Sequence, residues 1–131
     1  TLRLFNCYGP GQPLGYFIPD MIARAKTGHI DLRGGEITKD FVYISDVVDA
    51  FIKAASCRHI GAINIGTGQE TKLKNVAARI CTRLGASLEL IGPGAGPTRM
   101  LCDPRKAKKI LGWQAKVSLE EGHDRTIKAA R

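Results

Sequence analysis

The chain reads as an α/β domain. Segments with helical spacing of apolar residues alternate with short apolar runs of strand length, Gly- and Pro-rich loops separate them, and no internal repeat or low-complexity tract interrupts the series. The length, 131 residues with 44% hydrophobic and 24% charged, is that of one domain. A chain of this size buries roughly two-thirds of its unfolded surface, so its core needs no disulfide or metal to hold it.

Taken in order, Leu2 to Asn6 is a short apolar strand that Gly9-Pro10-Gly11-Gln12-Pro13 breaks into a loop. Phe17, Ile18, Met21, Ile22 and Ala25 recur at helical spacing, with Pro19 tolerated in the first turn and Gly28 placed as a C-terminal cap, so a helix runs from about 17 to 27. Ile30 to Arg33 and Lys39 to Ile44 are two strands on either side of Gly34-Gly35. Ser45 or Asp46 is positioned to cap a second helix carrying Val47, Val48, Ala50, Phe51 and Ala54, and the strand Ala62 to Ile65 follows. Thr71 caps a third helix with Leu73, Val76, Ala77, Ile80 and Leu84 on one face, ended by Gly85. Ser87 to Ile91 is a strand and Gly92 to Pro97 a loop. Asp103-Pro104 forms the cap and first residue of a short basic helix ending at Leu111, with Leu111 and Trp113 as the core residues that pin it. Ser118-Leu119-Glu120-Glu121 has capping-box spacing and opens a terminal helix reaching about Ala130.

Twenty Lys and Arg against twelve Asp and Glu give a net charge of +8, which suits an anionic partner. The basic residues gather in the last third, from Arg99 to Arg131, with Trp113 the single aromatic residue among them. That argues against a base-stacking nucleic-acid surface and for a solvated helix face. The apolar runs are far shorter than the roughly 20 residues a membrane helix needs, and no basic segment leads an apolar one at the start. Cys7, Cys57, Cys81 and Cys102 are too scattered for a zinc site or a disulfide framework, so a reducing, cytoplasmic setting is expected.

Gly9–Gly11, Gly34-Gly35, Gly66-Thr67-Gly68 and Gly92–Gly96 invite a phosphate-loop reading, yet none completes G-x-G-x-x-G or the Lys-Ser/Thr of a P-loop. Gly66-Thr67-Gly68 stands between a strand and a helix and reads as a tight turn. His29, His59 and His123 fall in loop-like or helix-start positions where solvent exposure is the default, and no Ser-His-Asp or Cys-His set is spaced as in a known family. Asp40 and Asp46 do not form a catalytic carboxylate pair, because Asp46 sits at a helix start where a carboxylate is stabilised structurally.

Several strings in order carry a resemblance over nearly the whole chain. They are Arg3-Leu4-Phe5-Asn6-Cys7-Tyr8-Gly9-Pro10-Gly11-Gln12, Phe17-Ile18-Pro19, Lys39-Asp40-Phe41-Val42-Tyr43-Ile44-Ser45-Asp46-Val47-Val48, Asn64-Ile65-Gly66-Thr67-Gly68, Asp103-Pro104-Arg105-Lys106-Ala107-Lys108-Lys109-Ile110-Leu111-Gly112-Trp113 and Ser118-Leu119-Glu120-Glu121-Gly122. Together they resemble the extended short-chain dehydrogenase/reductases that epimerise or dehydrate nucleotide sugars, in the carboxy-terminal part of that family. The resemblance implies the last parallel strands of a Rossmann-like NAD(P)-binding fold plus a small α/β substrate domain, so that residues 1–131 form a substrate-binding portion incomplete at the amino terminus.

Such enzymes bind NAD through an amino-terminal glycine fingerprint and use a Tyr-x-x-x-Lys pair for acid/base work while the nicotinamide takes and returns a hydride. Here Tyr8, Tyr16 and Tyr43 are followed four residues on by Gln12, Asp20 and Val47. NAD is thus expected in the parent enzyme, bound mainly by the missing half, and neither NAD binding nor turnover by this chain alone. By resemblance, Asn6 hydrogen-bonds the sugar or its diphosphate. Lys39 stands where the family has an Arg gripping the diphosphate, keeping the charge without the bidentate fork. Arg99 lies near a basic position reaching phosphate or ribose, although the usual R-x-G-D is absent. Arg33 is placed to stack on the base, with Tyr16 and Phe17 lining the pocket; ordinary exposure of Arg33 and core packing of Phe17 are the competing readings. The expected partner is a nucleotide sugar, with no nucleic acid and no membrane, and a homo-oligomer built through the strands at 2–6 and 62–65. A stand-alone module that binds nucleotide diphosphates without chemistry is the other class kept open.

Overall fold

The computed structural model of the chain describes residues 1–96 and 98–130. Pro97, at the end of the loop expected over 92–97, and Arg131 lie outside the described residues. The first apolar run is strand twice over. β1 (Leu2–Leu4) pairs in parallel with Ile63–Ile65, and β2 (Asn6–Tyr8) pairs in parallel with Phe41–Tyr43. Phe5 is the changeover: its N–H donates to the Ile65 carbonyl at 2.9 Å, and the next N–H, of Asn6, donates to the Asp40 carbonyl at 3.1 Å. With a neighbour on each side in turn, the extended segment continues to Tyr8, two residues beyond its expected end.

α1 (Phe17–Ala25) buries Ile18, Met21, Ile22 and Ala25 on one stripe. It stops short of Thr27 because the Thr27 and Gly28 amides fold back onto the Arg24 and Ala25 carbonyls. β3 (His29–Leu32) follows, then β4 (Thr38–Lys39) and β5 (Phe41–Tyr43), separated by Asp40 rather than running as one strand. All three residues of β5 are buried, as a strand covered on both faces requires. Phe41 and Tyr43 join a cluster with Tyr8, Ile30, Val76 and Ile80, whereas Val42 points into a second cluster with Ile63, Ile65, Ala107 and Trp113.

α2 (Ile44–Ala55) springs directly from β5, so neither Ser45 nor Asp46 caps it; its boundary residue is Tyr43, with no side-chain cap. The Asp46 carboxylate instead accepts from the backbone N–H groups of Lys116 and Val117, both at 3.0 Å, while its carbonyl accepts from Trp113 Nε1 at 2.9 Å. Asp46 thus has the structural role its position implied, exercised across the fold. β6 (Ile63–Ile65) comes next. Thr71 does not cap the third helix: it belongs to β7 (Thr71–Lys72), antiparallel to β4, and Lys72 bounds α3 (Leu73–Leu84) without a side-chain cap. Gly85 ends α3 in the left-handed conformation at φ 70°.

β8 (Ser87–Leu90) pairs in parallel with β3. The two-residue β9 (Arg99–Met100), too short to leave a periodic signal, pairs in parallel with β4. α4 (Arg105–Leu111) has Pro104 as its boundary, one residue later than expected, yet the Asp103 carboxylate still accepts the Arg105 N–H at 3.1 Å. α5 (Leu119–Ala129) is capped as expected, Ser118 Oγ accepting from the Glu121 N–H at 3.1 Å, while the Glu121 carboxylate pairs with Arg125.

Two exposure expectations change. His123 is buried at 1% because its face of α5 packs on the Tyr8 ring, 5.4 Å away between centroids. Ile63 and Ile65 of β6 are buried beneath Trp113 and Ala107, so of this strand pair it is β1, with Leu4 exposed, that leaves apolar surface open. No described helix is long and apolar enough to cross a membrane.

Candidate functional site

A cleft of about 890 Å³ runs along β1 and β2 into the Gly9–Pro13 loop beyond the carboxyl end of β2, and reaches the start of α1, Ile44 and Met100. That volume suits a small-molecule ligand. Its walls are mostly apolar and aromatic, and Arg3 is the one charged side chain among its lining residues. Burial in this wall raises the Cys7 thiol pKa, and the Tyr8 phenol is raised further, first by desolvation and then by the Tyr43 and Asp46 charges. Tyr8 is therefore a neutral wall residue at physiological pH.

Of the residues singled out from sequence, the fold brings Asn6, Tyr16 and Phe17 to this cleft. Asn6 Nδ2 donates to the Asp40 carbonyl at 2.9 Å and contacts Met100 Sδ at 3.5 Å, an anchoring that leaves the Oδ1 end of the amide as the acceptor. Tyr16 is exposed at the N-terminal boundary of α1, and Phe17 stacks obliquely on Phe41 with ring centroids 6.2 Å apart. Phe17 thus serves both the cleft wall and the core edge.

Lys39 does not line the cleft, but stands in register with Met100, which does. Among the described residues it pairs with no carboxylate. Arg99, one residue back on β9, is engaged differently: its Nε donates to Glu70 Oε1 at 2.8 Å, which also accepts from Thr38 Oγ1 at 2.6 Å. Those hydrogen bonds lower the Glu70 pKa and raise that of Arg99. Arg33 follows β3, beside Gly92 and away from the cleft lining. Sequence reasoning missed Arg3, Gln12 and Met100. Arg3 is a charge inside an apolar strand, which was the available signal; Met100 lies on a strand too short to leave one.

The Gly66-Thr67-Gly68 turn is closed to phosphate. The Asp40 carboxylate, with no solvent exposure, accepts from Thr67 N at 2.9 Å and Thr67 Oγ1 at 2.6 Å through one oxygen, and from Gly68 N at 2.8 Å and Cys102 N at 3.2 Å through the other. The amides a dinucleotide diphosphate would use are already satisfied internally. Asp40 also helps push the neighbouring Cys102 thiol up to about 12, after desolvation.

Parallel strands linked through helices, with a cleft reaching past the carboxyl end of a central strand, define a Rossmann-like protein of the extended short-chain dehydrogenase/reductase type. The chain belongs to the GDP-mannose 4,6 dehydratase family, whose model matches residues 1–126. It is 33% identical over 127 residues to UDP-glucuronic acid decarboxylase 3 of Arabidopsis thaliana, covering 92% of this chain and 37% of that protein. To UDP-glucose 4-epimerase of Mycolicibacterium smegmatis it is 34% identical over 136 residues, covering 96% of this chain and 43% of the relative. The solved structure of MoeE5 in complex with UDP-glucuronic acid and NAD superposes with a TM-score of 0.87 at 31% identity, over 99% of this chain and 46% of that one. The chain therefore spans less than half the length of these relatives.

Proposed function

We propose that the chain is the nucleotide-sugar-binding portion of an NAD-dependent enzyme that epimerises, dehydrates or decarboxylates its substrate through transient hydride transfer. The observation that carries this reading is the cleft itself, a largely apolar volume with Asn6, Tyr16 and Phe17 on its walls, in a fold whose relatives act on nucleotide sugars. Tyr16 and Phe17 supply flat surfaces for the base. The Oδ1 of Asn6 accepts from a sugar hydroxyl, and Lys39 supplies positive charge for the diphosphate beyond Met100. Arg99 remains a secondary contact, after exchanging Glu70 for phosphate oxygen, whereas Arg33, exposed and away from the cleft lining, is left out of the site.

The residues present do not fit the NAD diphosphate, since no glycine-rich stretch completes G-x-G-x-x-G, Asp40 already satisfies the amides of the Gly66–Gly68 turn, and the sequence holds no Tyr-x-x-x-Lys pair. NAD is therefore assigned to the parent enzyme, held mainly by polypeptide outside these residues. Calorimetric titration tests this. UDP-glucose or UDP-glucuronic acid should bind the chain while NAD does not, and Lys39→Ala should weaken nucleotide-sugar binding by about 1.5–3 kcal/mol, as for a hydrogen bond to a charged group. NAD-dependent turnover by the purified chain refutes the reading, and an unchanged dissociation constant returns Lys39 to the solvated surface. Binding of UDP as tightly as of either sugar nucleotide would instead mark a diphosphate-binding module without chemistry.

A further inference from the structure

We propose that the outer face of the β3–β8 pair binds one divalent transition-metal ion through His29, Asp31 and Glu89. In the parallel register His29 stands beside Ser87 and Asp31 beside Glu89. Alternation along β3 buries Ile30 and Leu32 and turns His29 and Asp31 to solvent, so two strands distant in sequence place three ligand-bearing side chains on one surface. One imidazole nitrogen and two carboxylate oxygens all lie within 4.8 Å of one another.

The His29 and Asp31 pair stands close to chelating distance. His29 Nε2 is 2.8 Å from Asp31 Oδ1, and two ligands each about 2.1 Å from a tetrahedral metal stand about 3.4 Å apart, a separation that a small rotamer shift provides. Glu89, on an exposed and flexible side chain, closes the set by a change of rotamer.

The second contact of the ring fixes its orientation. His29 Nδ1 is 2.6 Å from Ser87 Oγ, and that hydroxyl donates to the Gly28 carbonyl at 3.3 Å. With a metal in place of the Nε2 proton, Nδ1–H would donate to Ser87 Oγ, whose own proton turns to the Gly28 carbonyl. This is the tautomer, with an outer hydrogen bond to the remote nitrogen, that metal-binding histidines adopt. The chain carries +8 overall, yet among the described residues neither Asp31 nor Glu89 pairs with a Lys or Arg. An imidazole with two carboxylates favours zinc, cobalt or nickel over magnesium and calcium. None of the three residues lines the cleft, so the inference stands apart from the proposed function.

Titration of the metal-free chain with Co²⁺ and then Zn²⁺, read by calorimetry and the visible spectrum of cobalt, tests it. One equivalent of Co²⁺ should bind and be displaced by Zn²⁺, and Zn²⁺ should raise Tm by tying β3 to β8. His29→Ala should lower affinity more than tenfold and the near-isosteric Glu89→Gln about tenfold, whereas His59→Ala leaves it unchanged. Undiminished affinity in both His29→Ala and Glu89→Gln, or a thiolate-to-cobalt band showing cysteine ligation, overturns the proposal.

Discussion

Asp40→Asn preserves the shape of a buried side chain while removing its charge and turning one oxygen into an amide NH₂. The carboxylate now satisfies four donors, two per oxygen. In the variant the NH₂ group faces either the amides of Gly68 and Cys102 or the amide of Thr67, whose hydroxyl can turn to accept. One or two hydrogen bonds to a charged acceptor at about 1.5–3 kcal/mol each set a loss of about 1.5–6 kcal/mol. Relaxation of the turn places the observed value toward the lower end, about 3 kcal/mol, still a large share of the 5–15 kcal/mol typical of a domain. Trp113 is the only tryptophan and is fully buried, so its fluorescence reports urea unfolding directly. With a denaturant slope of about 1–3 kcal/mol/M the midpoint should fall by about 1 M or more. Asp49→Asn is the control: among the described residues Asp49 pairs only with Lys53, one turn along α2, an interaction worth about 0.3–0.5 kcal/mol. Equal midpoints for the two variants would refute the argument that Asp40 clamps the turn to the 101–103 segment.

Burial, with help from Arg79 and against Asp124, pushes His123 down to about 4 from 6.5. The unfolded chain takes up the proton first, so stability is complete above about pH 6.5 and falls between there and about pH 4, by up to about 3 kcal/mol; His123→Leu should remove that slope in urea unfolding at pH 7 and 4.5, and an identical slope would refute it. Glu36 and Asp103, both lowered to about 2 by their Lys and Arg partners, begin to lose their contribution as pH falls through the ordinary carboxylate range, so the difference between wild type and His123→Leu at the same two pH values isolates the histidine. A Cβ on Gly122 would lie 2.0 Å from the Tyr8 hydroxyl oxygen, so Gly122→Ala should cost about 1–3 kcal/mol and lower Tm, and an unchanged Tm would mean α5 is not seated on Tyr8. Cys81 and Cys102 are buried with raised thiol pKa values; at pH 8 they should stay unlabelled by a thiol reagent until urea is added. Leu4 on β1 and Phe51 and Ile52 on α2 are exposed, and light scattering should find the chain self-associated, a stable monomer at high concentration refuting assembly through β1.

Much of this was legible because local chemistry and tertiary structure agree. The stripes of α1 and α3, the glycine ending α3 and the serine capping α5 are signals contained within one or two turns, and each stands where it was read. The misassigned caps share one cause. Asp46 and Thr71 have the side chains of helix caps, but Asp46 is drawn to the 116–117 amides and Thr71 into a strand, partners far away in sequence. His123 fails for the same reason: nothing in its own helix reveals that Tyr8 covers it. At the site, Asn6, Tyr16 and Phe17 share a cleft because β2 leads into the loop before α1, whereas Arg33 and Arg99 depend on pairings no local pattern encodes.

Those same pairings shape how the chain reaches its native state. Leu2 must find Ile63, Asn6 must find Phe41 and His29 must find Ser87 before any parallel ladder exists, and no hairpin between adjacent strands offers a local start for them. Closing such loops costs entropy before contacts return it, which places refolding toward the slow, millisecond-to-second end of the range for small domains. During that interval Leu2, Leu4, Ile63 and Ile65 are unpaired and in water, so the yield on refolding should fall steeply with chain concentration even where the folded protein is stable.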